Sequence, residues 1–117
     1  MAMQQSQSMI SSGDVNGTDV FSTNGEKVGH IDHLMIDRQS GKVAFAVMNF
    51  GGFLGIGQDE HPIPWNALKY DTAQGGYVTG ITNAQLDGAP QRTDAWSDDR
   101  AWQERNFRYY QADPYWL

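Results

Sequence analysis

The stretch GKVAFAVMNFGGFLGIGQDEHPIPW, from Gly41 to Trp65, sets the architecture of this chain. Residues 43–48 alternate between the two faces of a predicted strand, and the side chains on both faces are apolar. A strand of this kind is typical of a buried position, which requires a barrel or a second layer of structure. A glycine-rich turn and a short strand bracketed by prolines follow it. We therefore expect the other segments to pack around this strand.

Composition narrows the class of protein. The chain has 117 residues, which is enough for one domain, and its thirteen glycines and 39% apolar residues favour a β-fold with many turns. The absence of cysteine excludes disulfides, thiolate metal sites and cysteine nucleophiles, and it suits the cytoplasm.

Charge and hydropathy limit the partners. A net charge of -6 with only eight scattered Lys and Arg residues argues against a nucleic-acid partner. No run approaches the roughly 20 apolar residues of a membrane helix, so we expect no membrane insertion, although peripheral association with a membrane complex stays open. Residues 1–14 lack the features of a signal peptide and are predicted to form a flexible arm.

Short strands at close spacing occupy most of residues 18–81. Asn24-Gly25 is a typical hairpin turn, and a shift in the apolar pattern predicts a bulge near Gly29. Thr82 or Asn83 is positioned to cap a short helix. About six strands with little helix between them predict a small antiparallel β-barrel or sandwich in a mainly β fold.

The C-terminal segment differs from the rest because it is charged and aromatic. A helix is predicted over residues 94–110, with Asp94 or Ser97 as its cap, Asp98 and Asp99 in its first turn, and Pro114 beyond its end. The expected organisation is therefore an arm at 1–14, a barrel domain at 15–90, and an aromatic-rich helix and tail at 91–117.

Three stretches, NGEKVGHIDHLMID, SGKVAFAVMNFGGFLGIGQDEHPIPWNAL and GGYVTGITNAQLDGAP, resemble the PRC-barrel family. This family includes the cytoplasmic domain of the photosynthetic reaction centre H subunit and the C-terminal domain of the ribosome maturation factor RimM. The resemblance covers residues 15–90 and is most specific in the GGFLGIG turn, the PIPW motif and the closing AP. It implies a small, partly open barrel that acts as a docking module without shared catalytic residues, as in stand-alone bacterial members.

The histidines raise the question of a metal site. His30 and His33 flank Asp32, but residues three apart on an extended strand point to opposite faces, so the two imidazoles cannot bind one ion without a bulge. His61 is a further possible ligand. We expect no metal and no cofactor, and a barrel that senses a metal or small ligand is the alternative.

Large apolar side chains outside the predicted barrel core indicate interaction surfaces. Those of the glycine-rich turn either cover the barrel mouth or contact another chain, and the aromatic tail packs on its own barrel or on a second subunit. We favour a homodimer. The predicted interaction residues are Phe53, Leu54, Ile56, Trp65, Trp96, Trp102, Phe107, Tyr109, Tyr110 and Trp116.

These observations favour a non-enzymatic protein-interaction or scaffolding module that self-associates in the cytoplasm and binds an unidentified protein. The alternatives are the metal- or ligand-sensing barrel and an accessory factor in ribosome or RNA processing. The acidity of the chain weakens the second alternative.

Overall fold

Six strands form one curled sheet in the computed structural model, which describes residues 9–50 and 60–117. The elements in chain order are α1 (Ser12–Val15), β1 (Asp19–Phe21), β2 (Lys27–Ile36), β3 (Val43–Phe50), β4 (Glu60–Pro64), β5 (Leu68–Asp71), β6 (Gly76–Thr79), α2 (Asn83–Gly88) and α3 (Arg100–Tyr109), with 3₁₀ turns at Trp65–Ala67 and Trp96–Asp98. Helix α1, with Ser11 as its N-cap, begins inside the segment predicted as an arm.

The sheet has the strand order β4-β3-β2-β1-β6-β5. Its two edge strands, β4 and β5, are joined only by the 3₁₀ turn Trp65–Ala67, so the sheet curls to bring its edges towards each other. The predicted small, partly open barrel of about six strands is confirmed. It is not purely antiparallel, because the β5–β6 hairpin returns the chain beside β1 in the same direction, and β1 and β6 pair in parallel.

Strand β2 carries two extra residues in its pairing, and a third register shift, between Met35 and Ile36, skips Ala44 on β3. Its register against β1 skips Val28, next to Gly29, where the sequence predicted a bulge. Its register against β3 skips Asp32. Each extra residue shifts the side-chain alternation by one. The residues after it therefore point to the face opposite the one they would occupy in a regular strand.

The inner face of the curled sheet encloses the main hydrophobic core. Strand β3 contributes alternate residues to it, and α1 and α2 contribute one residue each at the ends of the barrel. The buried members are Val15, Val20, Ile31, Ala46, Met48, Phe50, Ile63, Leu68, Tyr77 and Leu86.

The outer face of β3 is covered by the C-terminal segment of the same chain. Phe45 stacks on Phe107 with ring centroids 4.8 Å apart and meets the edge of Trp96 at 5.4 Å. Trp102, which is 1% exposed, completes this second core and donates from Nε1 to the carbonyl of Gln91. The predicted strand buried on both faces is confirmed, with a barrel interior on one side and a helical layer on the other.

The caps of the two longer helices differ in how well the sequence predicted them. Thr82, one of the two predicted caps, caps α2, and it also exchanges hydrogen bonds with Gln85 in a capping box. Asp94 and Ser97 are not the caps of α3, because the 3₁₀ turn that buries Trp96 interrupts the predicted helix. Asp99 is the N-cap, and its carboxylate accepts from the backbone N–H of Trp102 at 3.1 Å.

Replacing Trp102 with Ala is expected to destabilise the chain by about 3–5 kcal/mol, because it removes the most deeply buried ring of the outer core. Chemical denaturation measures the change. Leu117→Ala is the control, since Leu117 is 78% exposed and its loss is expected to change stability by less than about 0.5 kcal/mol. Equal stabilities of the two variants would contradict the packing described.

A side chain at position 29 would collide with the backbone carbonyl of Asn49 on β3, so this close approach of two strands requires glycine. Gly29→Ala is expected to cost about 1–3 kcal/mol. Gly80→Ala is the matched control, because a Cβ at position 80 meets no atom within 4 Å. Thermal or denaturant unfolding of both variants tests the difference, and a Gly29→Ala protein as stable as the control would contradict it.

Candidate functional site

Three of the predicted interaction residues lie inside the chain's own core. Trp96, Trp102 and Phe107 are all less than a tenth exposed and pack on the outer face of β3. The aromatic tail therefore packs on its own barrel, which was one of the two alternatives. The prediction of a homodimer stays untested, and these three buried rings no longer support it.

Four other predicted residues are partly exposed and also make contacts within the chain. Tyr109 donates its hydroxyl to the carbonyl of Gln85 at 2.6 Å, Trp65 lies against Tyr77, and the guanidinium of Arg100 lies 3.9 Å from the centre of the Trp116 ring. The other partly exposed residue is Tyr110, and Phe53, Leu54 and Ile56 fall outside the described residues.

One end of the barrel holds an open cleft of about 300 Å³. Its lining is mixed, with Val28, Phe50 and Ile81 as apolar members and Ser22 and Thr82 among the polar ones. Phe50 is the last residue of β3, so the chain leaves the sheet beside this cleft. It re-enters the sheet at Glu60, which pairs with Asn49 on β3. Phe50 and Glu60, the described residues on either side of positions 51–59, therefore both lie at this end of the barrel.

The bulge at Asp32 places two histidines on one face of β2. His30 pairs with Asn49, and His33 pairs with Val47, and these partners lie two residues apart on β3 and share its outer face. His30 and His33 therefore lie on the same face of β2, contrary to the expectation for a regular strand. The bulge that the sequence argument required is present.

A cluster of metal-ligating side chains lies at this bulge. Ligand atoms of Asp32, His33 and Glu60 are all within 4.8 Å of one another, and the Nδ1 of His33 is 2.6 Å from the Oδ2 of Asp32. We refer to these three residues as the bulge cluster. Arg92 supports it from the side, because its Nε donates to the backbone carbonyl of Glu60 at 3.0 Å.

Sequence reasoning missed Glu60 and included two histidines that lie outside the cluster. His30 contacts the amide nitrogen of Asn49 at 3.2 Å through its Nε2. His61 pairs with Met48 and its ring meets the edge of Phe50, which places it on the barrel-core side of β4. Only the pairing of β4 with β3 brings Glu60 beside β2, and no local pattern in the sequence signals that register.

The hydrogen bond from His33 lowers the pKa of Asp32, because it stabilises the carboxylate more than the neutral acid. Slight burial of the carboxyl group opposes this shift, and the charge of His33 adds to it. Since the folded pKa lies below the unfolded one, the interaction stabilises the fold at neutral pH. That stabilisation is lost as the pH falls through the depressed pKa of Asp32.

His33→Ala is expected to raise the pKa of Asp32 towards its ordinary value, because the donor is removed. A titration of the carboxyl carbons by NMR measures this. Asp37 is the internal control, since hydrogen bonds from Ser40 lower its pKa independently of His33. An Asp32 titration that is the same in both proteins would contradict the assignment.

Comparison with known proteins agrees with the curled sheet. The family model of the PRC-barrel domain matches residues 8–86, which is more than half of the chain. No curated protein matches the sequence. None of the helices in residues 9–50 and 60–117 has the length and hydropathy to cross a membrane. The chain belongs to the PRC-barrel family.

Proposed function

We propose that this chain is a non-enzymatic protein-interaction module that binds another protein through the cleft end of its barrel. The observation that carries the proposal is that Phe50 lines the cleft and that Glu60, where the chain re-enters the sheet, pairs with the neighbouring Asn49. The sequence between Phe50 and Glu60 contains Phe53, Leu54 and Ile56, three large apolar side chains among glycines. A partly apolar cleft, together with large apolar residues in the sequence between Phe50 and Glu60, is typical of a surface that another protein covers.

The packing of the aromatic tail on its own barrel supports the cleft end as the binding surface. Trp96, Trp102 and Phe107 are committed to the chain's own outer core, so they do not compete for a partner. PRC-barrel domains are generally non-catalytic, which supports a role in binding. A cytoplasmic location is part of the proposal and suits a chain without cysteine.

Self-association is a further part of the proposal, and it places a second copy of the chain on the same barrel end. In this proposal the apolar residues at positions 53, 54 and 56 supply the apolar part of a symmetric contact. Sedimentation equilibrium of the wild type and the Phe53→Ser/Leu54→Ser variant tests it separately from partner binding. A dimer that weakens in the variant supports self-association through this end, and a monomer in both removes it.

Partner binding is tested by quantitative affinity capture from the native lysate with the wild type and the Phe53→Ser/Leu54→Ser variant as baits. The variant is expected to lose at least one protein that the wild type retains, because the apolar contact is removed. Ile36→Ser is the matched control, since Ile36 is 52% exposed and lies at the opposite end of β2. Circular dichroism checks that all three baits are folded.

The Ile36→Ser control separates an effect of the cleft end from a general effect of lost apolar surface. A protein retained by the wild type and by Ile36→Ser, but lost by the double variant, supports the cleft end as the binding surface. The same set of proteins on all three baits would overturn it, and a loss shared by both variants would point to a general effect of apolar surface.

A further inference from the structure

We propose that the bulge cluster of Asp32, His33 and Glu60 binds a divalent transition-metal cation, of which Zn²⁺ fits the donor set best. One imidazole nitrogen and two carboxylate oxygens are a ligand combination that zinc accepts, with further positions left to water. Calcium and magnesium prefer oxygen ligands alone, so the imidazole disfavours them. Glu60 is shared with the proposed interaction end, but none of the three ligand residues lines the cleft, so the metal proposal does not rest on the proposed function.

The strand pairing fixes where the three donors lie. Asp32 and His33 are neighbours at the bulge of β2, and Glu60 starts β4, two strands away. Strand β3 holds the two together, since Asn49 pairs with both His30 and Glu60. The donors thus come from well-paired strands, and the backbone positions need no rearrangement to bind an ion.

The distances allow one ion with small side-chain movements. Ligands at roughly 2.0–2.2 Å from a tetrahedral zinc lie about 3.4 Å from each other. The donor atoms of the bulge cluster are within 4.8 Å of one another. The three side chains are 35 to 42% exposed, so rotation about their outer bonds can close the remaining gap.

The charges of the cluster favour a cation. Two carboxylates lie within 4.8 Å of each other, and the Nη2 of Arg92 forms an ion pair with the Oε1 of Glu60 at 3.8 Å, longer than a hydrogen bond. The Glu60 carboxylate is therefore not held by a charge-assisted hydrogen bond from that nitrogen. An ion bound by His33 Nδ1 and Asp32 Oδ2 replaces the hydrogen bond between these two atoms, and the neutral imidazole then carries its proton on Nε2.

Calorimetric titration of Zn²⁺ into the full, untagged chain tests the proposal. We expect one ion per chain, and His33→Ala and Glu60→Gln are each expected to weaken binding at least about tenfold, because each removes a ligand. Two controls match them chemically. His61→Gln removes an imidazole on the barrel-core side of β4. Asp37→Asn removes a carboxylate in the β2–β3 hairpin. Both variants are expected to bind Zn²⁺ as tightly as the wild type does.

A second measurement avoids dependence on the variants. Paramagnetic Co²⁺ added to the isotopically labelled wild type is expected to broaden the NMR signals of residues 32, 33 and 60 before those of residues 37 and 61. Broadening centred elsewhere overturns the proposal, as does zinc binding that is absent or is equal in the wild type and both cluster variants. Loss of binding in the cluster variants alone, with the matching pattern of broadening, supports it.

Discussion

The structure depends on the burial of β3 on both of its faces. Its inner residues, Ala46, Met48 and Phe50, help to fill the barrel, and its outer residues, Phe45 and Val47, lie beneath the C-terminal helix and tail. Full burial of each large apolar side chain contributes about 1.5–3 kcal/mol, so the outer layer is a substantial part of the small stability of a domain of this size. The C-terminal segment is thus a structural part of the molecule, although it follows the residues that match the family model.

The bulge at Asp32 determines which polar side chains of β2 lie on the outer face of the sheet. A regular strand would place His30 and His33 on opposite faces, and the extra residue Asp32 places both on the outer face. The part of the outer surface near β3's Phe45 is covered by aromatic rings, while the part near Asn49 carries histidine and carboxylate side chains. One sheet surface is therefore divided between a structural apolar region and a polar region with metal-ligating groups. The cleft end of the barrel is a separate feature, because it is formed by the inner face and the turns.

Much of the fold follows from local sequence. The two apolar faces of residues 43–48 predicted the central strand with structure on both sides, and the cap candidates Thr82 and Asn83 predicted α2. Pairings between distant segments did not follow. The parallel contact of β1 with β6 and the position of Glu60 beside Asp32 depend on tertiary register, which no local periodicity encodes. The start of α3 was misplaced because burial of Trp96 overrides the helical pattern and moves the cap to Asp99.

The packing of the aromatic tail on its own barrel is tested most directly by contacts between the rings of Phe45 and Phe107 in solution. An isotope-filtered NOE experiment on an equal mixture of labelled and unlabelled chains separates contacts within a chain from contacts between chains. The structure predicts strong NOEs within the labelled chain, since the ring centroids are 4.8 Å apart, and none between labelled and unlabelled chains. NOEs between chains would show that the tail covers β3 of a second copy and would contradict this architecture.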